Sequence, residues 1–243
     1  MLGLAAPASA TTIGPDSFGY TATNEIPFSF TNISGTGTQI LANVDDSTLN
    51  VALPFVFSFY GVGYNSINIS SNGLMSFVAA TTAFTNASYA ASAAPGGIDQ
   101  PQIAPLWDDW VTVDSADAVY HQTIGPAGSQ QFIVQWNAVA PFAGSGEATF
   151  QAILFQGTND IMFSYLDVVG LSFGNNGSSA TVGIRNIGAP GNGQFLQWSF
   201  NNGVIENSES ILITSTTVPE PATLLLVGLG AAGLRRQLKR RRG

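Results

Sequence analysis

The sequence predicts an all-β fold, a two-sheet antiparallel sandwich of jelly-roll-like character, followed by a single C-terminal hydrophobic helix. Three observations lead there. Leu49, Val51, Leu53, Phe55, Phe57 and Phe59 occupy every second position of one run, the period of a strand with one buried face. Turn-forming Gly, Asn, Asp and Ser recur at about the 8–12-residue spacing of sandwich folds. No stretch before residue 222 sustains the roughly 3.6-residue period of an amphipathic helix.

Taken in order, strands are expected at 26–31 and 38–44, then along the alternating run 49–59, which stops at Tyr60-Gly61. Strands at 66–70 and 74–79 flank Asn72-Gly73, the strongest hairpin signal in the chain, because both residue types tolerate positive φ. Residues 83–101 are rich in Ala and Ser and end in Ala94-Pro95-Gly96-Gly97, which reads as a long surface loop with at most one helical turn. Strands follow at 103–107, 118–124, 131–139, 148–156, 160–166, 180–186, 195–200 and 210–214. Gly157-Thr158-Asn159-Asp160 and Asn175-Asn176-Gly177 are turns among them. No Pro- or Ser-rich linker divides the strands, so 11–217 is expected to be one domain.

Composition narrows the function classes. Hydrophobic residues make up 45% of the 243 and charged residues 9%, against about 25% charged in ordinary globular domains. That combination excludes wholesale disorder. Cysteine is absent, which excludes disulfides, thiolate nucleophiles and Cys-based zinc sites. Residues 1–218 carry 14 acids and one base, Arg185, a net of −13. Such a body repels phosphate backbones, so no nucleic-acid partner is expected. The other six bases, Arg235, Arg236, Lys239, Arg240, Arg241 and Arg242, crowd into the last nine positions.

The tail orders three parts: Val218, Pro219, Glu220 and Pro221, an apolar run over 222–234, and the basic cluster. Two prolines keep the segment around Glu220 out of helix and sheet. The apolar run can enter a bilayer as a helix, with the basic cluster as a cytoplasmic stop. At ~1.5 Å per residue it reaches only about 20 Å of a ~30 Å hydrocarbon layer. A weak span suits temporary retention better than permanent anchoring. The three parts resemble the PEP-CTERM sorting signal of Gram-negative bacteria that make extracellular polysaccharide. The resemblance implies an exosortase partner in the membrane that cuts near the motif and releases or transfers the protein. At the other end, Ala8-Ser9-Ala10 fits a signal-peptidase site and 2–6 fits the end of an apolar leader, so 1–10 reads as a signal-peptide remnant. A disordered Ala-rich terminus is the plain alternative.

Catalytic motifs are sparse. His121 is the sole histidine and no G-x-S-x-G elbow accompanies it, so a serine triad is not expected. Neither H-E-x-x-H nor a phosphate loop is present. Asp108, Asp109, Asp114 and Asp117 place four carboxylates within ten residues, an oxygen-rich group that suits Ca²⁺. The plain alternative is a solvated acidic loop. Trp107 and Trp110 flank that loop and, if exposed, offer faces on which a sugar ring can stack. Trp136 and Trp198 are expected in the core.

The middle of the chain also has a family look. Leu53-Pro54-Phe55, Phe59-Tyr60-Gly61, Ser70-Ser71-Asn72-Gly73, Ile103-Ala104-Pro105-Leu106-Trp107-Asp108-Asp109, Phe132-Ile133-Val134-Gln135-Trp136 and Ala180-Thr181-Val182-Gly183-Ile184 follow in order. Over 26–215 this resembles the β-sandwich of bacterial surface proteins and the nidogen extracellular domain, which implies an adhesive or structural role. The expected function is thus a non-enzymatic exported surface or matrix protein processed at its tail. The alternatives are a carbohydrate-binding module holding extracellular polysaccharide, and a hydrolase with an unfamiliar carboxylate site.

Overall fold

A computed structural model describes residues 10–114, 117–172 and 174–215. The expected helix over 222–234, the sorting motif, the basic stop and the leader remnant over 1–9 lie outside them. Among the described residues no helix is long and apolar enough to cross a membrane.

Among the described residues fifteen strands follow in chain order: β1 Thr12–Ile13, β2 Tyr20–Thr23, β3 Thr38–Ala42, β4 Thr48–Phe59, β5 Val62–Ser70, β6 Met75–Ser76, β7 Gln102–Trp107, β8 Trp110–Val111, β9 Ala118–Ile124, β10 Gln131–Pro141, β11 Ala148–Phe155, β12 Ile161–Asp167, β13 Thr181–Arg185, β14 Phe195–Phe200 and β15 Glu209–Ser215. The only helical pieces described are 3-10 turns at Pro95–Gly97 and Asn175–Gly177. The larger sheet runs β1-β2-β15-β12-β11-β10-β9-β3, with β8 paired to β10, and the smaller runs β14-β13-β7-β6-β5-β4. The two-sheet antiparallel sandwich is therefore as expected. Its jelly-roll character is not: β9 to β12 and β4 to β7 are meanders within one sheet each, whereas a jelly roll is built from two Greek keys.

The alternation in β4 plays out as the sequence implies. Val51, Leu53, Phe55, Phe57 and Phe59 are buried, and Val56 faces solvent. Leu49 is exposed, so the buried face begins at Val51. β4 is the edge strand of its sheet, and its pairing shifts register between Ala52 and Phe57. Pro54 falls inside that break, where its missing N–H costs no ladder bond. The space between the sheets is filled chiefly by aromatic and branched side chains, including Phe57, Phe59, Trp110, Trp136, Phe150, Phe163 and Tyr165.

The expected strand at 26–31 is a correction. This segment crosses the outer face of the larger sheet without joining any ladder, and side chains take the place of a partner strand. Ser210 Oγ accepts from the Ser29 N–H at 3.1 Å. Gln151 accepts from the Thr31 N–H and donates to its carbonyl, at 3.2 and 2.7 Å. Gln135 Oε1 accepts from the Ile33 N–H at 2.8 Å. Beneath the segment lies a second, smaller core of Ile33, Ala118, Tyr120, Ile133, Ile153 and Met162.

The long loop at 83–101 lies against the smaller sheet. Arg185, on β13, is fully buried beneath it. Its Nη2 pairs with Asp99 at 2.6 Å and donates to the Ala93 and Ala189 carbonyls at 3.3 and 2.8 Å. The single base of the body thus fastens this loop.

Candidate functional site

The chain passes from the smaller sheet to the larger at Asp108 and Asp109, between β7 and β8. The crossing is held by Asn72, the residue of the expected hairpin. Asn72 is fully buried, and its carbonyl accepts from the Asp108 N–H at 3.2 Å. Its side-chain oxygen accepts from the Trp110 N–H at 3.0 Å, and its amide donates to Asp46 Oδ1 at 2.8 Å. Gly73 makes this approach possible. Its φ is +68°, and a Cβ there would sit 2.1 Å from the Leu106 carbonyl oxygen. The Asn-Gly pair therefore forms the expected turn between β5 and β6 and also positions the acidic crossing.

The turn between β3 and β4 brings up a second pair of acids. Ser47 and Ser71 exchange hydrogen bonds, Ser47 N–H to Ser71 Oγ at 3.1 Å and Ser71 N–H to the Ser47 carbonyl at 2.8 Å. This places Asp45 and Asp46 beside Asp109, with one carboxylate oxygen from each within 4.8 Å of the others. Burial pushes the Asp109 carboxyl up to about 6, and the charges of Asp46, Asp45 and Asp108 add to the rise. Burial also raises Asp108, although hydrogen bonds from Ser179 and the Asp109 N–H oppose it. Three carboxylates this close repel one another unless a proton or a hard cation such as Ca²⁺ is shared among them.

The expected calcium group is regrouped by the fold. Asp109 joins Asp45 and Asp46, residues that sequence spacing does not connect. Asp108 is bonded by Ser179 Oγ and the Asp109 N–H. Asp114 and Asp117 form a separate pair, in which Asp114 Oδ1 accepts from the Asp117 N–H at 3.2 Å. Burial, Asp114 and Glu147 raise the Asp117 carboxyl.

The sugar-stacking surface expected at Trp107 and Trp110 is overturned. Both rings are fully buried, and their indole N–H groups donate to the Ala83 and Leu106 carbonyls, each at 2.8 Å. Trp136 is core as expected. Trp198 is only half-buried. The aromatic rings exposed near the acidic crossing are instead Phe84 and Phe142, at the mouth of a cleft of about 320 Å³ that Asn86, Asp108, Asp109 and Asn201 also line. The sequence marked neither phenylalanine, since nothing local sets them apart from core residues. His121 sits half-buried on β9 against Phe132, and burial holds its imidazole below the usual range.

Fold and site together define an all-β sandwich module whose crossing loops gather acids and exposed rings on one surface. The chain belongs to the NIDO-related family, whose model matches residues 19–224. The PEP-CTERM protein-sorting motif matches residues 217–242. Alpha-tectorin of Mus musculus and alpha-tectorin of Homo sapiens are each 24% identical over 192 residues, covering 69% of this chain. The matched part spans only 8% of the length of either tectorin. No solved structure matches the chain. The sorting motif implies recognition by an exosortase and export to the bacterial cell surface or beyond.

Proposed function

We propose that this chain is a non-enzymatic surface or extracellular-matrix protein of a Gram-negative bacterium, delivered by its tail and acting through its sandwich as a contact module. The observation that carries the reading is the sorting motif joined directly to a NIDO-related domain. In this scheme Val218, Pro219, Glu220 and Pro221 present the site that exosortase reads. Residues 222–234 enter the inner membrane, and Arg235, Arg236, Lys239, Arg240, Arg241 and Arg242 halt translocation. Two features of the body support a contact role. Both oxygens of Asp108 are engaged in holding the crossing, and the lone histidine packs against Phe132.

Replacing Pro219, Glu220 and Pro221 with alanine in the native host tests the scheme. The apolar and basic parts remain, so insertion should continue while cutting stops, and full-length precursor should build up in the inner-membrane fraction. Unchanged arrival of the variant at the surface would overturn the role assigned to the motif.

A further inference from the structure

β1 is an edge strand of the larger sheet and β14 of the smaller, and β14 contacts β2 across the gap between them. Between them opens a pocket of about 410 Å³, lined by Thr11, Asn24, Trp198, Asn202, Glu206 and Glu209 together with the exposed Val204. That volume falls in the range of small-molecule sites, about 300–1,000 Å³. Trp198 differs from the other three tryptophans. Trp107, Trp110 and Trp136 are fully buried, and each donates its indole N–H to a backbone carbonyl at 2.8–2.9 Å. Trp198 packs against the main core yet stays half-buried. Among the described residues no hydrogen-bond acceptor meets its N–H and no aromatic ring stacks on it.

The polar groups around this indole have a defined order. Glu209 is buried, and its two oxygens accept from Asn24 Nδ2 at 2.8 Å and from the Glu206 N–H at 2.9 Å. It is a fixed part of the pocket wall. Glu206 is exposed, and among the described residues its carboxylate meets only Asn176 Nδ2, at 3.5 Å. Its acceptor capacity is therefore open beside an indole whose donor is open. A flat apolar face with an N–H that meets no acceptor among the described residues, next to the exposed carboxylate of Glu206, matches a ligand with one apolar face and a rim of hydroxyls.

We propose that the Trp198 pocket binds an uncharged saccharide unit, its ring face on the indole and a hydroxyl donating to Glu206. The charge of the site sets the class. Glu206 and Glu209 line it, no base does among the described residues, and the body over residues 1–218 is strongly acidic, so uronates and phosphorylated sugars are repelled. This goes beyond the delivery scheme and stands or falls separately, because it concerns binding and not processing.

Purified full-length chain is titrated with cellohexaose and laminarihexaose, with hexa-mannuronate as the charged comparison and hexalysine as a cationic one. All four tryptophans emit, but a ligand-induced shift of the emission reports mainly on Trp198, since the other three rings are fully buried away from the pocket. A glycan array carrying neutral, amino and uronic oligosaccharides widens the panel. At least one neutral glycan should bind and shift the emission, while hexa-mannuronate should not. Glu206→Gln, at an exposed position, should fold normally and weaken binding roughly tenfold, as loss of a hydrogen bond to a charged acceptor implies. Trp198→Phe should abolish the emission change. Failure of every neutral glycan to bind, preference for uronate or hexalysine, or unchanged affinity in both variants would each overturn the proposal.

Discussion

Arg185→Met is the sharpest test of how the long loop at 83–101 is held. The guanidinium is fully buried and reaches Asp99 Oδ1 at 2.6 Å, the Ala189 carbonyl at 2.8 Å and the Asn186 carbonyl at 3.1 Å, with longer contacts to Ala93 and Ser92. Methionine fills much of the same space but supplies none of these donors. Breaking a buried ion pair costs about 3–5 kcal/mol. Asp99 is 40% exposed and keeps the Gly188 N–H, which places this case near the lower figure, about 3 kcal/mol. For a domain near 200 residues each kcal/mol shifts the melting temperature by about 2–4 °C, so a fall of roughly 6–12 °C is expected. Thermal unfolding followed by circular dichroism measures it, and limited proteolysis should show new cleavage within 83–101 before global unfolding. Asp99→Asn keeps one acceptor and should lose less. A melting temperature within about 2 °C of wild type for Arg185→Met would show that packing, not the charge, holds the loop.

Three further outcomes follow from the same structure. Gly73→Ala forces a Cβ against the Leu106 carbonyl at positive φ and should destabilise by more than about 2 kcal/mol in urea unfolding, whereas an exposed Gly35→Ala should be near neutral. Gln151→Ala strands the Thr31 backbone and one contact of Gln135, and should lower stability by about 2–3 kcal/mol while exposing the segment at 26–33 to hydrogen exchange. Asp109 has a folded pKa of about 6, above its unfolded value near 3.9, so the folded state binds more protons between those limits and stability falls as pH rises from about 4 to 6. Asp109→Asn should remove that slope and raise the melting temperature at pH 7.5. Excess Ca²⁺ should raise the wild-type melting temperature and leave the variant unchanged if Asp45, Asp46 and Asp109 share the ion, and an identical curve in EDTA marks the group as repulsive only.

What the sequence revealed depended on whether a residue's role was local. β4 was legible because its buried face repeats every second residue, and Asn72-Gly73 because a tight turn needs positive φ. The segment at 26–31 carries apolar residues too, yet its backbone is bonded by Gln135, Gln151 and Ser210 from strands far along the chain. No pattern within 26–31 contains that information. The acidic site failed in the same way. Asp108, Asp109, Asp114 and Asp117 read as one oxygen-rich group, but the carboxylates beside Asp109 come from the turn at 43–47, brought in by the Ser47–Ser71 pair. Trp107 and Trp110 are buried where exposure is expected, because a tryptophan next to charged residues reads alike in sequence whether its ring points out or in. The tail was the opposite case, legible from order alone, because its parts act as a linear signal.

The mass of the mature protein tests the central claim most directly. Protein recovered from the surface or medium of the native host is measured intact, beside precursor from cells lacking the exosortase. The sorting account predicts a mature species cut near Pro219-Glu220-Pro221 that has lost Leu224 through Arg242, and a precursor that retains them. A surface species that still carries Leu224 to Arg242 would contradict it and leave a weakly anchored membrane protein in its place.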